Sequence, residues 1–85
     1  MLADMRINPA WNRCRIHSEN LAGEKEDVVV EFFIDDHLQT LTGGEMSFDD
    51  LEAFEKRLLD DGWIKRNDYH YVDSWSATYR RVVTE

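Results

Sequence analysis

Met46–Trp63 reads MSFDDLEAFEKRLLDDGW, and its punctuation decides the fold. Ser47 has the side chain of an N-cap, a hydroxyl that accepts from an otherwise unpaired amide of the first helical turn. Asp50 stands three residues on, where a capping box carries Glu or Gln, so the box is approximate. Met46 and Leu51 occupy the two positions of a hydrophobic staple. At the other end Gly62 supplies a left-handed residue, and Leu58 and Trp63 stand where a Schellman ending brings two apolar side chains together. The expected helix spans about 48–61. At 3.6 residues per turn Leu51, Phe54 and Leu58 share a face that Phe48 and Leu59 widen. Glu55 falls inside this apolar arc. It is expected to lift its carboxylate to the rim of the core, to pair with Arg80 or Arg81, or to contact a partner. Asp60 and Asp61 face the negative end of the helix dipole, so acidity here does not serve the helix.

Working outward, both flanks read as strands. Upstream, residues 1–10 form an irregular lead-in around Asn8-Pro9, and Met5 is an alternative start to Met1. From Trp11 the chain alternates, with Trp11, Arg13, Arg15 and His17 on one side and Asn12, Cys14, Ile16 and Ser18 on the other. Residues 20–27, NLAGEKED, suit a hairpin loop. Val28 to Ile34 is the strongest strand, with Val28, Val30, Phe32 and Ile34 on one face. Asp35-Asp36 reads as a turn into a strand over His37–Thr42 that Gly43-Gly44 ends. Downstream, Trp63–Lys65 starts a strand, Arg66-Asn67-Asp68 reads as a turn, and Tyr69–Val72 as a short strand. Asp73-Ser74 turns into a last strand over Trp75–Val83. The sum is one α+β domain over residues 1–85, β-β-β-α-β-β, an antiparallel sheet with one helix packed on one face.

Geometry then sets a question. Five strands span about 20 Å between outer axes, whereas one helix is about 10–12 Å across. The helix leaves the opposite face bare, unless the N-terminal segment folds over it. Aromatic residues shared between the two faces are expected to reach that surface and to favour partner contacts there.

Charge bounds the partners. Eighteen acidic against ten basic residues leave a net charge of −8. Residues 19–61 carry fourteen of the acids and three of the bases, so the excess sits in the middle of the chain. Direct binding to nucleic acid or an anionic membrane through that region is disfavoured by repulsion. No apolar run is long enough for a membrane span. The lone Cys14 rules out an internal disulfide, so the expected compartment is the cytoplasm.

Chemistry-bearing motifs are absent from the sequence. Cys14 and His17 fall on opposite faces of a strand and cannot chelate together. Asp35-Asp36-His37 suits a polar turn better than a metal site. Tyr69-His70-Tyr71 near Asp73 lacks a nucleophile, and Gly43-Gly44 lacks the lysine of a phosphate loop. No catalytic, metal-binding or cofactor-binding residue is assigned, and the expectation is a non-enzymatic domain without a cofactor.

The acidity itself offers a function. Asp35, Asp36, Asp49, Asp50, Glu52, Asp60 and Asp61 form an expected partner-binding set, with the two helical pairs about 16 Å apart. Such a surface fits a basic groove on another protein in competition with nucleic acid. Small acidic inhibitors of restriction or CRISPR effectors act on that logic, which is a physical analogy. One alternative is an adaptor or homodimer that pairs through an aromatic sheet face of Phe33, Tyr71, Trp75 and Tyr79. A second is single-stranded nucleic-acid binding, with aromatic rings stacking on bases and Arg13, Arg15, Arg80 and Arg81 on phosphates.

Overall fold

The computed structural model describes residues 6–19 and 26–82. In chain order the elements are β1 (Arg13–Glu19), β2 (Glu26–Ile34), β3 (His37–Met46), α1 (Phe48–Asp60), β4 (Ile64–His70) and β5 (Ser74–Arg80). This is the expected α+β fold, one five-stranded antiparallel sheet and one helix. The strand order across the sheet is β3-β2-β1-β5-β4. The connection from β3 to β4 therefore joins opposite edges of the sheet. Thirteen helical residues rise about 20 Å, which matches the width of five strands, so α1 has the length that crossing requires.

The ends of α1 are the ones its sequence specifies. The Ser47 hydroxyl accepts from the Asp50 amide at 3.2 Å. At the C-terminus the Trp63 amide donates to Leu58 O and the Gly62 amide to Leu59 O, at 3.0 and 3.2 Å, with Gly62 at φ 91°. That pair of bonds is a Schellman ending. Leu51, Phe54 and Leu58 are buried, whereas Phe48 and Leu59 remain about half exposed, so the buried stripe is narrower than expected.

The alternation of β1 sends Cys14, Ile16 and Ser18 under the helix and Arg13, Arg15 and His17 to the other side. Register builds three buried rows across the central strands: Phe32–Cys14–Tyr79, Val30–Ile16–Ala77 and Val28–Ser18–Trp75. Full burial of side chains such as Ile16, Phe32 and Phe54 contributes about 1.5–3 kcal/mol each. Trp11 departs from the expected alternation. It lies before β1 and stacks on Phe32 with ring centroids 4.6 Å apart, and Ile7 packs on the same core. The described part of the lead-in thus packs on the helix side, and no described segment crosses the far face of the sheet.

Two breaks expected in the sequence are absorbed by strands. β3 runs through Gly43 and Gly44, which pair with Val29 and Val28. A Cβ at Gly43 would sit 3.2 Å from the Val28 carbonyl oxygen, so the glycine serves a close backbone approach. Arg66-Asn67-Asp68 is not a turn. The register shifts between Lys65 and Asn67, and Arg66 is the extra residue of a bulge within β4. The turn to β5 falls at Tyr71–Asp73, with the Tyr71 amide donating to Ser74 O at 2.8 Å. At the β2–β3 hairpin the expected Asp35-Asp36 turn is present, both residues at positive φ (47° and 69°), the hairpin turn that matches the strand twist.

Candidate functional site

The seven expected partner-binding carboxylates do not form one patch. Asp49, Asp50 and Glu52 stand in the first turns of α1. Asp35, Asp36 and Asp61 gather around Asn12, Arg13 and Arg81 at the end where α1 finishes. Three of the seven are committed internally. Asp36 pairs with Arg13, Asp61 with Arg81 at 2.8 Å, and Asp35 accepts from the Asn12 amide group at 2.9 Å. Asp49, Asp50, Glu52 and Asp60 make no ion pair among the described residues, and all except the partly buried Asp50 are exposed. Lys56 shares the exposed side of the helix, one turn after Glu52.

The aromatic alternative loses its geometry. Trp75 and Tyr79 are buried beneath the helix, Phe33 points to the far face, and Tyr71 stands exposed at the β4–β5 turn. The period-2 alternation separates Phe33 from Trp75 and Tyr79. An Arg13 guanidinium then covers the Phe33 ring, 4.9 Å from its centroid.

A polar network closes the core beside β4 and explains Glu55. Its partners are neither Arg80 nor Arg81. Glu55 Oε2 accepts from Lys65 Nζ at 3.3 Å and from the Tyr79 hydroxyl at 2.5 Å. Lys65 also pairs with Asp68 at 3.0 Å. Asp68 in turn accepts from the Trp75 indole and meets His70 Nε2 at 2.9 Å. His70 thus finds Asp68 rather than Asp73. Burial alone would lower the Lys65 pKa, but hydrogen bonds and charge from Asp68 and Glu55 carry it above its ordinary value. Partial burial would raise the Asp68 pKa, and hydrogen bonds from Lys65, Trp75 and His70 hold it below its usual value. Burial and then the Glu55 hydrogen bond push the Tyr79 phenol up. Burial likewise raises the Cys14 thiol, with Glu31 adding to it. Each of these shifts moves its group away from neutral pH, and the linked side chains of the network tie β4 and β5 to α1. The sequence signalled it only through Glu55, the acid in the apolar stripe.

The far face of the sheet carries a feature the charge count hides. Arg13 of β1 and Arg80 of β5 are direct cross-strand partners, and Arg80 also faces Ile64 of β4. The β4 bulge adds Arg66. Arg13, Arg66, Asn67, Thr78 and Arg80 line a concavity of about 380 Å³. It adjoins one of about 500 Å³ that the same three arginines share with Asn12, Asp35, Asp36 and Ile64. Arg66 and Arg80 make no ion pair among the described residues. Arg15, by contrast, is held by Glu31 at 2.8 Å.

Among the described residues no three His, Cys, Asp or Glu side chains converge as metal ligands, and no helix is long and apolar enough to cross a membrane. No family model, curated protein or solved structure matches the chain.

Proposed function

We propose that this protein is a non-enzymatic cytosolic domain that docks its helix on the basic surface of another protein. By doing so it masks a surface that handles nucleic acid. The observation that supports this reading is the state of the α1 carboxylates: Asp49, Asp50, Glu52 and Asp60 have no ion-pair partner among the described residues. Four cations elsewhere in the chain (Arg13, Arg15, Lys65 and Arg81) are drawn to internal carboxylates instead. Unpaired, solvated carboxylates on a rigid helix retain their charge for a partner and steer its approach. Stacking of single-stranded bases finds less support. The far face carries Phe33 and Tyr69 as its described aromatic rings, and Phe33 lies beneath Arg13.

The test uses a variant that keeps the helix intact. Glu52→Lys with Asp60→Lys removes outward charge without touching the Ser47 cap or the buried stripe. A partner captured from a lysate is purified, and its nucleic-acid binding is measured with and without the domain. The expected result is inhibition by the native domain that weakens steeply with salt and drops about tenfold or more in the double variant. Inhibition unchanged in the variant, or a captured protein with no affinity for nucleic acid, overturns the reading.

A further inference from the structure

We infer that the face of the sheet opposite α1 holds a binding site for the phosphate group of a small phosphorylated molecule, formed by Arg66, Arg80, Arg13 and Thr78. The site is unrelated to the carboxylates of α1. Like charges directly opposite one another across a β-ladder are destabilising, yet Arg13 and Arg80 are such a pair. Asp36 neutralises Arg13, whereas Arg80 and Arg66 have no ion-pair partner among the described residues. A strand bulge, which re-aims side chains, brings Arg66 to the same concavity. Guanidinium groups match the oxygens of a phosphate in two-pronged geometry. Thr78 accepts a hydrogen bond from the Asn67 amide group at 3.1 Å, which leaves its own hydroxyl proton to donate.

The surroundings select the size of the ligand. The two concavities, about 380 and 500 Å³ with Arg13, Arg66 and Arg80 in the lining of both, each fall in the range of small-molecule sites. Ile64 and Val82 offer an apolar wall beside the arginines. Asp35 and Asp36 stand on the far rim, with Asp36 on Arg13, and Glu31 holds Arg15. Those carboxylates repel a long polyanion that would have to run past them, while a single phosphate on Arg66 and Arg80 avoids them.

The experiment is an NMR titration of the full chain, following arginine side-chain and backbone amide signals. Pyrophosphate is the probe, sodium chloride at matched ionic strength the control, and a labelled single strand of about 20 nucleotides the competing ligand. Pyrophosphate is expected to give saturable shifts confined to Arg13, Arg66, Asn67, Thr78 and Arg80. Arg80→Gln and, separately, Arg66→Gln each weaken its binding about tenfold or more. Both side chains are exposed, so spectra of the variants elsewhere should overlay the native one. Shifts reproduced by chloride, or failure of both variants to weaken binding, overturn the proposal. Saturable binding of the strand without binding of pyrophosphate overturns it in favour of a nucleic-acid surface.

Discussion

Cys14 shows how a residue's chemistry is decided by its place rather than its type. The thiol is fully buried between Phe32 and Tyr79, and its pKa is raised by that burial and by Glu31. It is therefore expected to react with a maleimide only through unfolding, at a rate set by the opening equilibrium, and to become fully reactive in about 6 M guanidinium. Glu55 is the converse case, an acid whose sequence position looked like an error. Glu55→Ala leaves the Tyr79 hydroxyl buried without its acceptor and Lys65 with one carboxylate fewer. The expected cost is about 1–3 kcal/mol in urea unfolding. Glu55→Gln, which still offers an oxygen to Tyr79, should lose less.

Protonation adds a second test at the same scale. Asp68 has a folded pKa below its ordinary 3.8, so its stabilising contribution is complete above that value and is lost as pH falls through the folded value. Lys65, Tyr79 and Cys14 have folded values above their ordinary 10.5, 10.0 and 9.0. Their contributions are complete below those values and erode as pH rises beyond them. Stability followed by circular dichroism is thus expected to fall in strong acid as Asp68 protonates, and to fall in alkali beginning near the ordinary value of Cys14. Asp68→Asn should flatten the acid limb and leave the onset of the alkaline one in place.

Among the elements, α1 separates what serves the fold from what does not. Ser47→Ala removes the cap bond to Asp50 and should cost about 1 kcal/mol. Gly62→Ala forces a Cβ into a left-handed residue at φ 91° and should cost about 1–2 kcal/mol, although open space surrounds it. Asp60 behaves oppositely. It lies at the negative end of the dipole without a described ion pair, so Asp60→Lys is expected to raise stability by about 0.3–1 kcal/mol. A gain in melting temperature together with lost partner binding would locate its purpose outside the fold. The strands show the opposite balance between local pattern and context. Gly43-Gly44 and Arg66-Asn67-Asp68 have turn composition, yet each is drawn into a ladder because the neighbouring strand offers an unbroken row of hydrogen-bonding groups.

For the molecule as a whole, charge and architecture act against each other. A net −8 on a small domain repels itself, and the described ion pairs near the surface recover little. Raising sodium chloride from about 0.1 M to about 1 M shortens the screening length from about 10 Å to about 3 Å. The melting temperature is therefore expected to rise with salt, while a partner interaction through α1 weakens. Opposite signs in the two measurements distinguish charge retained for binding from charge that only keeps the domain soluble.

By itself the sequence determined the helix with both its caps, the parity of β1 and β2, the Asp35-Asp36 hairpin and the order of elements. These depend on neighbours a few residues apart, and the rules of capping and alternation act at that range. Tertiary structure decided the rest. Strand order alone makes Arg13 and Arg80 neighbours, carries Lys65 and Tyr79 to Glu55, and hides Trp75 and Tyr79 beneath α1. Arg13 and Arg80, and Glu55 and Tyr79, come from segments far apart in the chain, and no local pattern encodes which strand will lie beside which. The acidic helix was legible because charge and periodicity are written along one segment, whereas the arginine-lined concavity exists only where β1, β4 and β5 meet.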